Sequence, residues 1–328
     1  MPSRRDWLAL GVRRRYDAGV PGDGKSSRPT QSPHGGASAG RASRRVNRAT
    51  APLRRRERGA EAERSYIYVR DYVDAATRAE LLTWLASLHP IWEQRFSTRR
   101  PLPPGKTQRP LLRPVYWLGN WQFACLGYYE PPRRTRDCAM AAEPFPAVMA
   151  KLVAQIEQRI RTQFAANDVP AGWHLNTCLI NFYGHRCDGE RWLDVARVGE
   201  HRDFEPGPVA SISLGERALF QFVRRGEVGG PPVRSQWLDD GSLQAFGGAW
   251  WKDALLHRVQ RVDSKRPGEL PPAIDGFRTR RVNFTFRYVP DAHVTPFNRL
   301  SPQARDDVRD YVAELAHGAR FFHRALDE

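Results

Sequence analysis

Beyond Leu175 the chain changes its hydrophobic period. Apolar and polar side chains alternate in short runs at Leu175 to Tyr183, Val209 to Leu214, Ala218 to Val223, Ser242 to Phe246 and Val282 to Tyr288, with turn residues between them. Alternation of this kind sends successive side chains to opposite faces of a strand. Several short strands so spaced bury their apolar faces only by closing on each other, as a sandwich, a barrel or a jelly roll.

Helices are expected around that sheet system. Val148, Leu152, Ile156, Ile160 and Phe164 recur every fourth residue from Pro146 to Phe164, which lines them along one side of a helix that packs on a sheet. Ser65 to Val69 reads as the first strand, and Leu81, Leu82, Trp84, Leu85 and Leu88 after Asp74 read as a helix with one apolar face. Ser301 and Pro302 open a last helix running to about Ala316, with Gly318 as its terminator. The Pro- and Arg-rich stretch 97–114 reads as an exposed loop. The fold class expected is therefore mixed α+β, with a sandwich, barrel or jelly-roll core, N-terminal helices and a C-terminal helix.

Charge is unevenly spread. Of the 52 Lys and Arg residues, 16 fall in the first 64 positions against six Asp and Glu, although the whole chain carries +16. That segment is rich in Arg, Gly, Ser and Pro and has few large apolar side chains, so burial cannot offset its ordering entropy. It reads as a disordered basic tail, with a short helix near Trp7 to Tyr16. It is either a sequence-independent tether to phosphates or a solvated appendage. The four cysteines, Cys125, Cys138, Cys178 and Cys187, show no C-x-x-C spacing, which argues against a disulfide scaffold or a structural zinc site. No run of eighteen apolar residues and no signal-peptide pattern occurs. A cytoplasmic monomer without a membrane partner is the expectation.

Chemistry-bearing residues cluster in the alternating half. His201 and Asp203 form an H-x-D pair, which on an extended strand shares one face. With a distant histidine such a pair makes the 2-His-1-carboxylate triad of non-haem Fe(II) oxygenases. One H-x-D arises easily by chance, so context decides. The context is Arg281 to Arg287, where Arg281, Asn283, Thr285 and Arg287 take one strand face and Val282, Phe284 and Phe286 the other. Two arginines buried on one face need an anionic partner, which a dicarboxylate supplies; on an edge strand they are simply solvated. Asn181 and Tyr183 share a face on another strand, before a turn expected at Gly184.

Taken in order, N-F-Y at 181–183, H-R-D-F-E at 201–205, V-A-S-I-S-L-G at 209–215, F-Q-F at 220–222, a distal histidine and R-V-N-F-T-F-R at 281–287 resemble the AlkB family of 2-oxoglutarate- and Fe(II)-dependent dioxygenases. The resemblance spans roughly Asn176 to Arg287. It implies a double-stranded β-helix with an N-terminal lid over a nucleotide substrate. On that basis residues 1–64 are the tail, 65–145 the extension with its lid, 146–300 the dioxygenase core and 301–328 the C-terminal helix. The resemblance also implies that His201, Asp203 and His257 bind Fe(II), because His174 and His185 precede the H-x-D pair and His293 follows the Arg strand. Asn181, Tyr183, Arg281, Asn283 and Arg287 become the 2-oxoglutarate pocket, with the end that each arginine holds left open. Glu205 falls where the family has an acidic residue near the target base, or is a solvated carboxylate. Trp117 and Tyr128, with Tyr116, Trp121 and Tyr129, lie where family members place base-stacking aromatics, or are core. The polar stretch Gly184 to Glu200 and the segment Ser264 to Gly276 are longer than the family pattern. The implied reaction is demethylation of alkylated nucleobases in DNA or RNA during repair. The alternatives are the same chemistry on a protein side chain, lipid or small metabolite, and a nucleic-acid-binding module with a vestigial metal site.

Overall fold

The alternation in the sequence resolves into two antiparallel sheets. The computed structural model describes residues 64–92, 94–95, 109–110, 113–121, 140–203, 205–226, 230–261, 268–295, 297–318 and 320–327. The main strands are β1 (Tyr66–Val69), β2 (Val115–Leu118), β3 (Thr177–Asp188), β4 (Arg191–Asp194), β5 (Val198–His201), β6 (Val209–Gly215), β7 (Ala218–Arg224), β8 (Pro232–Leu238), β9 (Ser242–Phe246), β10 (Leu255–Arg261) and β11 (Phe277–Arg287). The larger sheet runs β1-β9-β6-β11-β3-β2, with β4 added beside β3, and the smaller runs β8-β7-β10-β5.

Strand β11 is central. It pairs with β6 on one side and β3 on the other, so that Asn283 sits opposite both Ser213 and Asn181, and Thr285 opposite Ser211 and Leu179. Its apolar face, Val282, Phe284 and Phe286, is fully buried with Ile212, Leu214, Ile180 and Phe182. Helices α1 (Ala75–Leu85), α2 (Ala147–Gln163) and α3 (Pro302–Ala316) cover that side through Leu81, Leu85, Leu152, Ile156, Ile160, Val312 and Leu315. Burying each Phe contributes about 1.5–3 kcal/mol. Asp74 caps α1, its Oδ1 accepting from the Thr77 N–H at 2.7 Å. The other side of the large sheet meets the small sheet, where Tyr66, Val209 and Phe246 pack with Phe220, Phe222, Leu238 and Val259. The polar face of β11 is thereby shut between two sheets.

Three features depart from the sequence expectation. Strand β3 does not turn at Gly184 but continues to Asp188 and folds back through β4 as a hairpin. Gly184 stands opposite a bulge in β11, and a Cβ there would come within 1.9 Å of the Arg278 carbonyl oxygen, so the close approach requires glycine. Three of the four small-sheet strands, β5, β8 and β10, are not among those that the alternation predicts, because Arg and Gln interrupt β8 and β10 and β5 is the short run V-G-E-H. The C-terminal helix is two helices, α3 and α4 (Arg320–Asp327). Residues 1–63 of the tail, with its expected helix at Trp7 to Tyr16, and most of the expected loop 97–114 lie outside the described residues. Among the described residues no helix is long and apolar enough to cross a membrane.

Candidate active site

His201 is the last residue of β5 and is the register partner of His257 in β10, with ring centroids 4.2 Å apart. Asp203 lies just past the end of β5, so the shared-face argument for an extended H-x-D pair does not hold. The loop instead turns its carboxylate inward. Oδ2 is 3.4 Å from His257 Nε2, and Oδ1 accepts from Arg287 Nε at 2.7 Å. Strands from both sheets thus bring the sequence-predicted trio and one predicted arginine together. Phe220 stacks on His257 at 5.3 Å and Phe246 meets it edge-on at 5.4 Å, which fixes the ring and keeps water out.

The protonation states suit a cation. Burial lowers the affinity of His201 for a proton against the opposing pull of Asp203, and burial, then the neighbouring His201, pushes His257 down to about 3. Burial favours a protonated Asp203, yet Arg287 and the two histidines together hold it well below the ordinary carboxylate range. Nδ1 of His201 donates to the Gly199 carbonyl at 2.8 Å, which leaves Nε2 as its electron-pair donor. Two neutral imidazoles and one carboxylate match the donor set of a 2-His-1-carboxylate site. Among the described residues no three His, Cys, Asp or Glu side chains are already drawn into a closed metal cluster. The carboxylate of Asp203 is held by Arg287 instead.

A cavity of about 80 Å³ opens beside this trio, more than one ordered water needs, and Asn181, Tyr183, Ser211, Asn283, Thr285 and Arg287 are among its lining residues. Asn283 donates to the Ile212 carbonyl at 3.1 Å, and its Oδ1 accepts from Thr285 at 2.9 Å, so the polar row is internally ordered. Arg281 lies at the far end. Its Nη2 donates to Ser213 Oγ at 3.0 Å and its guanidinium is 4.9 Å from the Tyr183 ring centre, but its buried Nε and Nη1 find no acceptor among the described residues. Burial works against its charge. A buried guanidinium lacking acceptors is complementary to a carboxylate, so the pocket fits a dicarboxylate held beside a cation.

Two residues near the site escaped sequence reasoning. Arg113, inside the stretch read as an exposed loop, lines the cavity and donates from Nε to Asn181 Oδ1 at 2.9 Å. Lys252 is buried on the π-helical turn Ala249–Ala254, where Nζ donates to the carbonyl oxygens of Glu205 and, at 2.5 Å, Gly207. No local pattern marks Arg113 among the neighbouring arginines. Lys252, lying between two tryptophans and Asp253, offered one signal: a lone lysine in an apolar-rich turn.

The sequence-predicted substrate residues fare differently. Glu205 is buried with Oε1 3.6 Å from Arg287 Nε, so it faces the cations and not a substrate rim. Trp117 stands beside Leu179 on the cavity-side face of the sheet, but at 2% exposure it is core, with no open ring face for a base. Tyr128 lies outside the described residues. His174, His185 and His293 are not part of the cavity lining, in keeping with their exclusion by order.

Comparison with known proteins bears on this geometry. A solved structure described as that of OsALKBH1 covers 69% of this chain and 97% of its own, with 20% identity and a TM-score of 0.45. No curated protein matches the chain. A family model described as the 2OG-Fe(II) oxygenase superfamily matches residues 65–287. That span takes in both sheets and every residue placed around the cavity, from Arg113 to Arg287. The chain belongs to the 2OG-Fe(II) oxygenase superfamily.

Proposed function

We propose that this Fe(II)- and 2-oxoglutarate-dependent dioxygenase removes alkyl groups from nucleobases in DNA or RNA, as a cytoplasmic monomer. The observation that carries the reading is the convergence of His201, Asp203 and His257 on the polar face of β11, in the motif order that resembles AlkB. In this reading His201, Asp203 and His257 hold Fe(II). Asn181, Tyr183, Arg281, Asn283 and Arg287 hold 2-oxoglutarate. The contact between Arg287 and Asp203 supports placing Arg287 at the metal end, with Arg281 at the far carboxylate.

Bound Fe(II) and 2-oxoglutarate supply, with O2, the oxidant that hydroxylates an N-alkyl carbon, leaving succinate and carbon dioxide. The hydroxylated N-methyl group then breaks its C–N bond to give formaldehyde and the unmodified base. The protein's own part is to orient: the phenylalanines fix His257, Arg287 keeps Asp203 ionised, and the small sheet shuts out water.

One observation favours a second reading. Trp117 is closed into the core and Glu205 points at Arg287, so neither described rim candidate is offered to a flipped base; this suits the same chemistry on a protein side chain, lipid or small metabolite. The test is formaldehyde release from N-methylated single-stranded oligonucleotides, measured beside succinate formation without substrate. Formaldehyde above background supports nucleobase dealkylation. Succinate without formaldehyde from any methylated oligonucleotide moves the assignment to the second reading, and neither product identifies a vestigial site.

A further inference from the structure

We infer that Arg113, which the extension contributes just before β2, is a third guanidinium of the cosubstrate pocket and binds the far carboxylate of 2-oxoglutarate together with Arg281. The inference rests on the cosubstrate pocket assigned above. Three observations converge on it. Arg113 lines the cavity with Asn181, Tyr183 and Asn283. Its Nε is tied to Asn181 Oδ1 at 2.9 Å, which aims the remaining guanidinium nitrogens past that amide. It also lies 4.9 Å from the Tyr183 ring centre, the same distance as Arg281, so two cations share one tyrosine.

Charge counting gives the placement its meaning. Arg113 and Arg287 line the cavity and Arg281 lies against the lining residue Tyr183, whereas Asp203 is the only carboxylate among the described lining residues. Arg287 is engaged by Asp203 and Glu205. Arg113 and Arg281 both lie against Tyr183, where Arg113 opposes the charge of the buried Arg281 and the Glu216 carboxylate only partly supports it. Such a pair is stable when an anion sits between them, and a carboxylate with two oxygens can accept from both forks. Because Arg113 precedes β2 while Arg281 is on β11, cosubstrate binding then adds a tie to the one that β2 already makes with β3.

The test is binding rather than turnover. Full-length protein loaded with Mn(II) is titrated with 2-oxoglutarate and with 2-oxopentanoate, which has the same five-carbon chain without the far carboxylate, for parent, Arg113→Gln and Arg113→Lys. Arg113→Gln is expected to raise Kd for 2-oxoglutarate about tenfold and to leave Kd for 2-oxopentanoate and for Mn(II) unchanged. Arg113→Lys, which keeps charge but loses the fork, is expected to fall between, and it carries the test alone if Arg113→Gln does not fold. An unchanged Kd for 2-oxoglutarate overturns the inference, as does equal weakening for both acids, which marks a purely structural brace at Asn181. A parent protein that binds neither acid overturns the pocket assignment itself, and Arg113 with it.

Discussion

Asp203 and Arg287 set the electrostatics of the site. A carboxylate buried without a partner takes up a proton instead of keeping its charge, and here burial does push Asp203 that way before Arg287 and the histidines outweigh it. Arg287 also reaches Glu205, so a single guanidinium serves two buried carboxylates. Replacing it by an apolar side chain leaves Asp203 without its main cation and Glu205 without this one, and breaking a buried pair from one side costs about 3–5 kcal/mol. Urea unfolding of Arg287→Met is therefore expected to show a loss in that range. Because a divalent cation also neutralises Asp203, Mn(II) is expected to stabilise the variant more than it stabilises the parent. Equal stabilisation by Mn(II) in both proteins rejects Asp203 as a metal ligand. That His201, Asp203 and Arg287 come together was legible from the order of the motifs, and Arg281 and Arg287 share a strand face as their spacing predicts, but the H-x-D pair converges through a loop and not through strand alternation. Glu205 was legible as a position but not as an orientation: nothing local says that Arg287, more than eighty residues later, draws its carboxylate inward.

At the level of elements, the site is a junction between segments distant in sequence. The loop after β5 carries Asp203, and the π-helical turn before β10 precedes His257; Lys252 ties them by donating to the carbonyls of Glu205 and Gly207. Methionine fills a similar volume but cannot donate, so Lys252→Met leaves two carbonyl oxygens short of a donor at about 1–3 kcal/mol each. A lowered urea midpoint is expected, together with weaker Mn(II) binding in the folded variant. Unchanged Mn(II) affinity means that the loop holds Asp203 without this tie. The same junction explains which strands were readable. Strands β6, β9 and β11 lie inside the large sheet, bury one complete apolar face and keep a strict alternation. Strands β5, β8 and β10 build the small sheet from residues such as Glu200, Arg258 and Gln236, whose polar pairing across strands is tertiary; Arg258 bonds both Gln221 and Glu200. A pairing of that kind leaves no periodic trace in one strand alone.

For the molecule as a whole, the question is where the folded unit starts. Ser65 is the hinge of the answer: its carbonyl accepts from the Gly247 N–H at 3.0 Å, its hydroxyl bonds Asp168, and β1 follows it directly as the edge partner of β9. Tyr66 then packs between the sheets against Phe222 and Trp251. The family match also begins at residue 65. Removing residues 1–63 therefore takes away none of these contacts, and Tm is expected to stay at the parental value; extending the cut through Val69 strips β9 of its partner and is expected to unfold the protein. The removed segment carries most of the excess positive charge. If its arginines contact phosphates, each such contact releases a counterion, so the truncated protein should bind oligonucleotides more weakly and with a shallower dependence on salt. Its turnover of a short saturating substrate should not change, because among the described residues none of the cavity lining lies before Arg113. Loss of 2-oxoglutarate turnover after the shorter cut would place part of the working site in the first 63 residues and overturn the boundary at Ser65.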